Sequence, residues 1–517
     1  MEKRQRYPVG EQSFKVIREE GFLYVDKTKY LEKIVKGSQY YFLGRPRRFG
    51  KSLFLSTLKF FFEGRRDLFK GLYADTMEWE WESYPVLHLS LNMWDYKKRG
   101  QLDEAFNTHL SDWEKEYGID EVSDDISSRF RAVIRRAYEK TGKKVVILVD
   151  EYDNPLVDTL DMPERFEDCR NQLSAIYSNF KSSADYIRLV FLTGVSRFGK
   201  ISVFSGLNNI QDISFDREYS AICGITEKEL LENFRPGIER LAYFEQQSEE
   251  ETMATLKKYY DGYHFSRVIE DIYNPFSILN AMDKGEFGNY WVQSGQTSLI
   301  SRQLPSYNLD LESLFNKTCP EESLLGIEPD SPTPVALLYQ TGYLTIKHYD
   351  RELGLFTLGL PNDEVRRGFI NNLLPYYSSI GEDETAFTVG EFLKELRQGD
   401  AEGFMRRLQS LFAGYSYEMR LENENNFHNV IYMLMILLGM SVETERKTSD
   451  GRIDLLITTS KYRYVIELKV DSSPEAALRQ INDKEYHLQF SPDWRKIIKI
   501  GVNFSTESRR ITGWIIE

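Results

Sequence analysis

A Gly-Lys-Ser triplet that follows an apolar run holds the first side chains able to do chemistry. Residues 40–43 are apolar, residues 44–52 read Gly-Arg-Pro-Arg-Arg-Phe-Gly-Lys-Ser, and apolar positions recur at helical spacing over 53–62. A strand, a turn and a helix in this order present free backbone N–H groups and the positive end of the helix dipole to an anion. The lysine of such a loop reaches the β- and γ-phosphates, and the next hydroxyl binds Mg²⁺. The residues predicted to bind nucleotide here are Arg48, Gly50, Lys51 and Ser52, with Ser52 also a metal ligand.

The loop between Gly44 and Gly50 does not match the usual spacing of phosphate-binding glycines. Counted back from Gly50, the first glycine of the usual pattern falls on Arg45, and Gly44 stands one place earlier. Either the loop carries one extra residue, or Arg45 occupies a backbone position that commonly requires glycine. A basic helix cap after a buried strand is the alternative interpretation of the whole segment.

Two acids end a second apolar run, at residues 145–149. A continuous apolar run bounded by charges is typical of a parallel strand that is buried on both faces. At its end, Asp150 is predicted to hold Mg²⁺, directly or through water, and Glu151 is predicted to polarise the attacking water. The alternative is a solvated turn, which the Gly-Lys-Ser triplet about a hundred residues upstream disfavours.

A third polar strand end follows at residues 193–197, after the apolar residues 187–192. A polar group at the end of a neighbouring strand can sense the γ-phosphate, and an arginine can stabilise charge that develops in the transition state. Thr193 and Arg197 are therefore further predicted residues of the nucleotide site. A strand end with a solvated arginine is the alternative interpretation.

A second group of catalytic residue types lies between residues 449 and 470. Asp454 begins one apolar strand, and Glu467 and Lys469 lie on the next, where a period of two puts them on one face. Carboxylate oxygens suit Mg²⁺, so Asp454 and Glu467 are predicted metal ligands. All three are predicted catalytic residues of phosphodiester hydrolysis, in which the metal activates water and Lys469 orients the nucleophile or stabilises charge.

The helices on either side of these strands supply further candidates. A helix predicted over residues 422–438 carries Glu424 and His428 four positions apart, hence on one face, and Glu424 is a further predicted metal ligand. The helix after the strands carries Gln480. The alternative for the strands is a plain hairpin with a cross-strand Lys–Glu pair.

The length and pattern of the chain indicate several domains around these two sites. With 517 residues, 41% of them hydrophobic, the chain is globular and exceeds a single core. We divide it into an α/β phosphate-loop domain of three layers (1–225), a helical, winged-helix-like bridging region (226–404) and a C-terminal α/β domain (405–517). Within the first domain, residues 22–25 are predicted to form a short strand.

Composition excludes several classes of protein. Three widely spaced cysteines argue against a disulfide framework and for a reducing compartment. No apolar run approaches the length of a membrane span and no signal-type core follows residue 1, so we expect a cytoplasmic protein without membrane contact. The net charge of −14 argues against a protein coated in nucleic acid. The tyrosine-rich turns of the bridging region lack interleaved basic residues, so we expect them to pack inside rather than to stack bases.

A series of short motifs carries a resemblance to a known family. In chain order they are Tyr24-Val25-Asp26-Lys27-Thr28, Arg45-Pro46-Arg47-Arg48-Phe49-Gly50-Lys51-Ser52, Asp150-Glu151-Tyr152-Asp153, Thr193-Gly194-Val195-Ser196-Arg197-Phe198, Tyr260-Asp261-Gly262-Tyr263, Tyr273-Asn274-Pro275-Phe276-Ser277, Gln340-Thr341-Gly342-Tyr343-Leu344-Thr345-Ile346, Gly451-Arg452-Ile453-Asp454, Ile466-Glu467-Leu468-Lys469 and Leu478-Arg479-Gln480-Ile481. The chain resembles bacterial proteins that join an AAA-ATPase-like domain to a C-terminal PD-(D/E)XK nuclease-superfamily domain. The resemblance spans nearly the whole chain. It implies a P-loop ATPase fold followed by a restriction-endonuclease-like fold.

The leading hypothesis is an ATP-regulated, Mg²⁺-dependent nuclease that acts on nucleic acid, expected to be DNA. In this hypothesis nucleotide bound at Lys51, Ser52 and Asp150 gates the second site, so ATP and Mg²⁺ are the expected cofactors. A nucleotide-dependent switch or scaffold, whose nuclease-like domain binds without cutting, is the alternative. An ATPase that acts on protein partners is a third hypothesis, and the oligomeric state stays open.

Overall fold

The structure of the protein is a computed structural model, which describes residues 5–120, 123–198, 209–294, 304, 314–315, 317–327, 331, 333–377, 382–413, 441–448, 451–484, 494–505, 507–508 and 510–517. The chain forms two compact units. The first unit comprises Met1–Gly295 and Lys317–Glu364, and the second comprises Gln296–Asn316 and Val365–Glu517. The bridging region of the sequence analysis therefore contributes residues to both units. Among the described residues, no helix is both long and apolar enough to pass through a bilayer.

A five-stranded parallel sheet forms the centre of the first unit. Its strands are β1 (Tyr40–Gly44), β2 (Val86–Ser90), β3 (Val145–Asp150), β4 (Ile187–Gly194) and β5 (Gln211–Asp212). Their spatial order is β2-β3-β4-β1-β5. Every residue of β3 is buried, because helices cover a parallel sheet on both faces, and this explains its continuous apolar run. The strands expected at the two later polar strand ends are confirmed.

The carboxyl ends of the parallel strands meet at one edge of this sheet. Leu43 of β1 pairs with Thr193 of β4, and Ser90 of β2 pairs with Asp150 of β3. The loops after β1, β3 and β4 therefore leave the sheet at the same edge. Ligands bind at this edge in open α/β sheets.

In the described part of residues 5–198, eight α-helices accompany these strands. They are α1 (Phe14–Glu19), α2 (Lys29–Lys36), α3 (Lys51–Phe62), α4 (Arg66–Phe69), α5 (Gln101–Tyr117), α6 (Ile126–Thr141), α7 (Asn154–Val157) and α8 (Pro163–Ser182). Caps fix several of their first turns, as where the side chain of Asp125 accepts a hydrogen bond from the Ser128 amide. The strand predicted at residues 22–25 is wrong. This segment joins no sheet, and the Leu23 amide donates to the carbonyl of Arg6.

The remainder of the first unit is helical with short strands. Its elements are α9 (Glu227–Asn233), α10 (Arg235–Glu245), α11 (Glu249–Tyr260), α12 (Pro275–Lys284), α13 (Tyr290–Ser294), α14 (Val335–Thr341), β6 (Ile225–Thr226), β7 (Ile272–Tyr273), β8 (Thr318–Pro320), β9 (Thr345–Asp350) and β10 (Leu355–Gly359). Tyr260, Tyr263 and Tyr273 are all buried, and Tyr260 and Tyr273 belong to one hydrophobic cluster. The prediction that the tyrosine-rich turns serve packing is confirmed.

The three cysteines of the chain all lie in the first unit. Cys169, Cys223 and Cys319 are buried free thiols. Burial raises the pKa of each thiol, to about 11 at Cys319. None of the three therefore has the low pKa that makes a thiol reactive.

A mixed five-stranded sheet forms the centre of the second unit. Its strands are β11 (Ser441–Thr448), β12 (Gly451–Thr458), β13 (Tyr462–Val470), β14 (Lys496–Ser505) and β15 (Arg510–Ile516), in sequential spatial order. The β13–β14 pair is parallel and the other pairs are antiparallel. The helices are α15 (Asp363–Tyr377), which begins in the first unit, α16 (Glu382–Gln398), α17 (Ala401–Ala413) and α18 (Pro474–Asp483).

The predicted fold class is confirmed. A parallel sheet with helices forms the N-terminal part of the protein, and a mixed α/β sheet forms the C-terminal part. The helix predicted over residues 422–438, with Glu424 and His428, lies outside the described residues.

Candidate functional sites

The loop between β1 and α3 has the backbone geometry of an anion-binding turn. Gly50 is the residue before α3 and has a φ of +96°, which a side chain would strain. Nothing lies within 4 Å of a Cβ built on Gly50, so its backbone conformation and not crowding calls for glycine. Arg48 is exposed and also left-handed, with a φ of +64°. A non-glycine residue in this conformation is uncommon and concentrates at functional sites.

Lys51 is buried inside this loop. Its ammonium group donates to the carbonyl of Arg45 at 2.9 Å and to that of Pro46 at 3.1 Å. Burial lowers the pKa of Lys51, and the negative charges of Glu151 and Asp150 oppose that shift. Ser52 follows in the first turn of α3 and is partly exposed. The ammonium group of Lys51 and the hydroxyl of Ser52 thus both lie at the start of α3, where an α-helix leaves its first amides without intrahelical partners.

Arg45 is a structural residue of this loop. It is buried, and its guanidinium donates to the carbonyls of Gly44 and Ser214 at 2.8 Å and of Tyr219 at 2.9 Å. The same group lies 4.2 Å from the ring centroid of Phe265. The left-handed residues of the loop are Arg48 and Gly50 and not Arg45, so Arg45 does not occupy a backbone position that requires glycine.

The predicted acids lie at the carboxyl edge of the same sheet. The hydroxyl of Thr193 donates to Oδ1 of Asp150 at 2.6 Å, and both residues are buried. Oε2 of Glu151 accepts from the side-chain amide of Asn154 at 2.7 Å, and Glu151 has a φ of +54°. Thr193 therefore orients Asp150, while Glu151 is held on a strained turn, as functional residues often are.

Arg197 is paired with a carboxylate outside this group of acids. Its guanidinium forms an ion pair with Asp212 at 2.8 Å, and its backbone N–H donates to the side chain of Gln340 at 2.6 Å. It lines a small cavity of about 30 Å³ together with Arg45 and Asp212. The structure thus brings Lys51, Asp150 and Thr193 to one edge, and gives Arg197 a carboxylate partner of its own.

Asp153 ends the Asp150–Asp153 motif, and its role is not predictable from the sequence pattern alone. Asp153 is buried, and its Oδ2 accepts from the amides of Val195, at 3.0 Å, and Ser196. Oδ1 has no hydrogen-bond partner among the described residues, and a Cβ on Gly194 would lie 2.5 Å from it. Burial raises the pKa of Asp153 to about 6. Asp153 therefore joins the turn after β3 to the turn after β4.

The second predicted site is assembled on β12, β13 and α18. Oδ2 of Asp454 accepts from the amide of Leu468 at 2.8 Å, which holds the two strands together at this point. Oε1 of Glu467 accepts from the side-chain amide of Gln480 and lies 3.3 Å from Nζ of Lys469. The three predicted catalytic residues of this site are therefore neighbours, and Gln480 is hydrogen-bonded to Glu467.

Glu467 is the buried centre of this cluster. Only 1% of its surface is exposed, and Oε2 has no hydrogen-bond partner among the described residues. Burial raises the pKa of Glu467 above its ordinary value, and repulsion from Asp454 adds to the shift. Burying a carboxylate oxygen without a partner is costly, whereas a divalent cation would satisfy it. The donor set therefore fits a metal ion.

The part of the chain that the structure describes contains no group of three or more His, Cys, Asp or Glu side chains able to hold a metal. Asp454 and Glu467 provide two carboxylates. Glu424, the third predicted ligand, lies outside the described residues.

Comparison with known proteins finds similarity to two domain families and to one full-length relative. A family described as "Predicted AAA-ATPase" matches residues 8–204, and the PD-(D/E)XK nuclease superfamily matches residues 422–514. The chain is also 34% identical over 527 residues to a protein of Azotobacter chroococcum mcd 1 described as "Uncharacterized protein in vnfD 5'region". That alignment covers 99% of each chain.

Proposed function

Because the chain belongs to the family that joins an AAA-ATPase-like domain to a PD-(D/E)XK nuclease-superfamily domain, we propose that it is an ATP-binding, Mg²⁺-dependent nuclease acting on nucleic acid, DNA in the first instance. The observation that carries the proposal is the cluster of Asp454, Glu467 and Lys469 around a buried carboxylate oxygen that has no hydrogen-bond partner among the residues the structure describes. A metal and a phosphodiester both suit such a cluster.

In the nucleotide site, the residues of the loop bind and orient the phosphates. The amides at the start of α3 and the ammonium group of Lys51 would contact phosphate oxygens, which replace the loop carbonyls that Lys51 now contacts. Ser52 and Asp150 would hold Mg²⁺, with Thr193 keeping Asp150 in place. Glu151 would accept a proton from the attacking water, and Arg48 would bind phosphate from the exposed side of the loop.

In the nuclease-like site, Asp454 and Glu467 would hold the divalent cation. When bound, the cation supplies a nucleophile from water at neutral pH and offsets the charge of the scissile phosphate. Lys469 would place that water and stabilise negative charge in the transition state. Gln480 keeps Oε1 of Glu467 engaged, so that Oε2 would be the oxygen left to hold a cation.

Nucleotide binding is tested by calorimetry of MgATP with the full chain. Lys51→Ala should weaken binding about tenfold to a hundredfold, because charge-assisted hydrogen bonds to phosphate are lost. Glu151→Gln should still bind ATP but hydrolyse it about a hundredfold more slowly or worse. Lys59→Ala, on the same helix, is the matched control and should bind as the wild type does. Unchanged affinity in Lys51→Ala would remove the nucleotide site from the proposal.

Nuclease activity is tested by digestion of single- and double-stranded DNA, and of RNA, with Mg²⁺ or Mn²⁺. Asp454→Asn and Glu467→Gln should each lower cleavage about a hundredfold or more, because each removes a metal ligand. Glu475→Gln, an exposed acid in the first turn of α18, is the control and should cleave normally. Cleavage that persists in both site variants would refute the assignment.

One observation favours a second candidate, a nucleotide-dependent scaffold whose nuclease-like domain binds without cutting. Residues 405–517 carry 16 basic and 15 acidic side chains, a weak basic balance for a domain that binds nucleic acid. The scaffold predicts that no cleavage occurs with either cation. It also predicts that metal binding does not depend on Asp454 or Glu467.

A further inference from the structure

A tryptophan of α13 holds the phosphate loop from outside. Trp291 is buried, and its indole N–H donates to the carbonyl of Arg47 at 3.0 Å. The next residue is the left-handed Arg48. Because a trans peptide is planar, fixing the carbonyl of Arg47 also fixes the direction of the Arg48 N–H, which points the opposite way. The hydrogen bond therefore sets the orientation of one peptide plane within the loop.

Trp291 is in turn held by a buried carboxyl group. Oε1 of Glu364 accepts from the backbone amide of Trp291 at 2.6 Å, and Oε2 accepts from the hydroxyl of Ser277 at 2.7 Å. None of the surface of Glu364 is exposed, so both oxygens depend on these protein partners. The carboxyl group is thereby fixed between α12 and α13, with its own residue at the start of α15.

The packing around the indole leaves it little freedom. The ring centroid of Tyr343 lies 5.3 Å from that of Trp291. A Cβ built on Gly342 would lie 3.3 Å from the indole and 2.8 Å from Cβ of Pro46, so this glycine touches both the tryptophan and the loop. The indole, Gly342 and the first half of the loop therefore form one packed group.

We propose that Trp291 and Glu364 are positioning residues of the nucleotide site, which hold the peptide between Arg47 and Arg48 in its phosphate-binding orientation. Neither side chain needs to touch the nucleotide for this role. The effect on nucleotide affinity rests on the proposed function, whereas the effect on the order of the loop does not. The order of the loop and the affinity for nucleotide can therefore be measured separately.

The experiment compares Trp291→Phe with Trp113→Phe in the full chain. Phenylalanine keeps an aromatic ring but removes the N–H donor, and Trp113 is a buried tryptophan on α5 that serves as matched control. Amide hydrogen exchange of residues 45–50 without nucleotide should become about fivefold faster in Trp291→Phe, and MgATP affinity should fall about fivefold, the loss expected for one hydrogen bond. Trp113→Phe should leave both unchanged.

A second pair of variants covers the case in which the tryptophan change has wider effects. Glu364→Gln keeps an acceptor for the Trp291 amide and should resemble the wild type, while Glu364→Ala should reproduce the faster exchange of Trp291→Phe. Exchange of residues 45–50 that stays at the wild-type rate in Trp291→Phe and Glu364→Ala overturns the inference. A wild-type protein that binds no MgATP overturns the proposed function instead, and the exchange rates then still decide the role of Trp291.

Discussion

Asp261 keeps a carboxyl group in the interior of the first unit, where only 2% of the residue is exposed. Burial raises the pKa of Asp261 to about 7; the negative charge of Asp271 contributes to this shift, and the backbone N–H of Gly262 and the charge of Lys257 oppose it. The folded protein therefore holds a proton here at pH values where the unfolded chain has released it. Such a group makes the free energy of unfolding depend on pH near neutrality.

Asp261→Asn should remove this pH dependence. The folded pKa lies above the unfolded value, so the wild type loses stability as pH rises from about 4 to about 7 and loses no more above that. Over that range the free energy of unfolding of the variant should rise relative to that of the wild type, by on the order of 3 kcal/mol at pH 8. Urea unfolding of the first unit at several pH values measures the difference. Glu239→Gln, which changes an exposed acid of α10, should show the same pH dependence as the wild type. If the free energies of unfolding of Asp261→Asn and the wild type depend on pH in the same way, the prediction is contradicted.

Individual site residues could be predicted where the chemistry depends on residues close in sequence. Lys51 and Ser52 follow Gly50 directly, and the alternation of a strand places Glu467 beside Lys469. The role of Arg45 could not be predicted in this way. Its guanidinium binds carbonyls of residues 214 and 219, which only the completed sheet brings near. Asp153 was missed for the same reason, because its partners belong to the turn after another strand.

At the scale of elements, two glycines have left-handed backbone conformations, but only one of them has close neighbours. Comparing alanine at the two positions separates the cost of steric crowding from the cost of backbone strain. Gly342 ends α14 with a φ of +91° against Pro46, and Gly354 lies between β9 and β10 with a φ of +67° and nothing near its Cβ position. Alanine at either position forces a conformation that costs about 1 kcal/mol. Only at Gly342 must Pro46 also move.

Gly354→Ala should therefore lower the free energy of unfolding by about 1 kcal/mol, and Gly342→Ala by about 2 to 4 kcal/mol, because overpacking is added to strain. Chemical denaturation of both variants against the wild type gives the comparison. If both variants lose the same free energy of unfolding, Pro46 moves away from the new methyl group without a measurable cost, and the prediction is contradicted.

Elements could be predicted from local pattern when burial alone decided them. The apolar runs of β3 and β4 and the helical spacing over residues 53–62 placed β3, β4 and α3 within a few residues. The strand predicted at residues 22–25 failed, because a strand also needs a neighbour with free hydrogen-bonding groups and this segment joins no sheet. The composition of four residues does not reveal whether such a neighbour exists.

At the scale of the whole molecule, each of the two units holds the residues of one candidate site. Lys51 and Asp150 belong to the first unit, and Asp454 and Glu467 belong to the second. A ligand that binds only the folded state stabilises the unit that holds its site, by about 2.7 kcal/mol at a hundred times its Kd.

Scanning calorimetry should therefore show two transitions that respond to different ligands. An ATP analogue that is not hydrolysed should raise the Tm of one transition, and Mn²⁺ alone should raise that of the other. Lys51→Ala should abolish the first shift and keep the second, and Glu467→Gln should do the reverse. If both ligands raise the Tm of the same transition and leave the other unchanged, the assignment of the two sites to separate units is contradicted.

All three thiols lie in the first unit, so they are natural reporters of structural opening in that unit. Cys169, Cys223 and Cys319 are shielded from solvent, and their raised pKa values keep the nucleophilic thiolate scarce. A water-soluble alkylating reagent must wait for the surrounding structure to open before it can modify them. The rate of thiol modification in the wild-type chain therefore measures how often the first unit opens. It does not report on opening of the second unit, which has no cysteine.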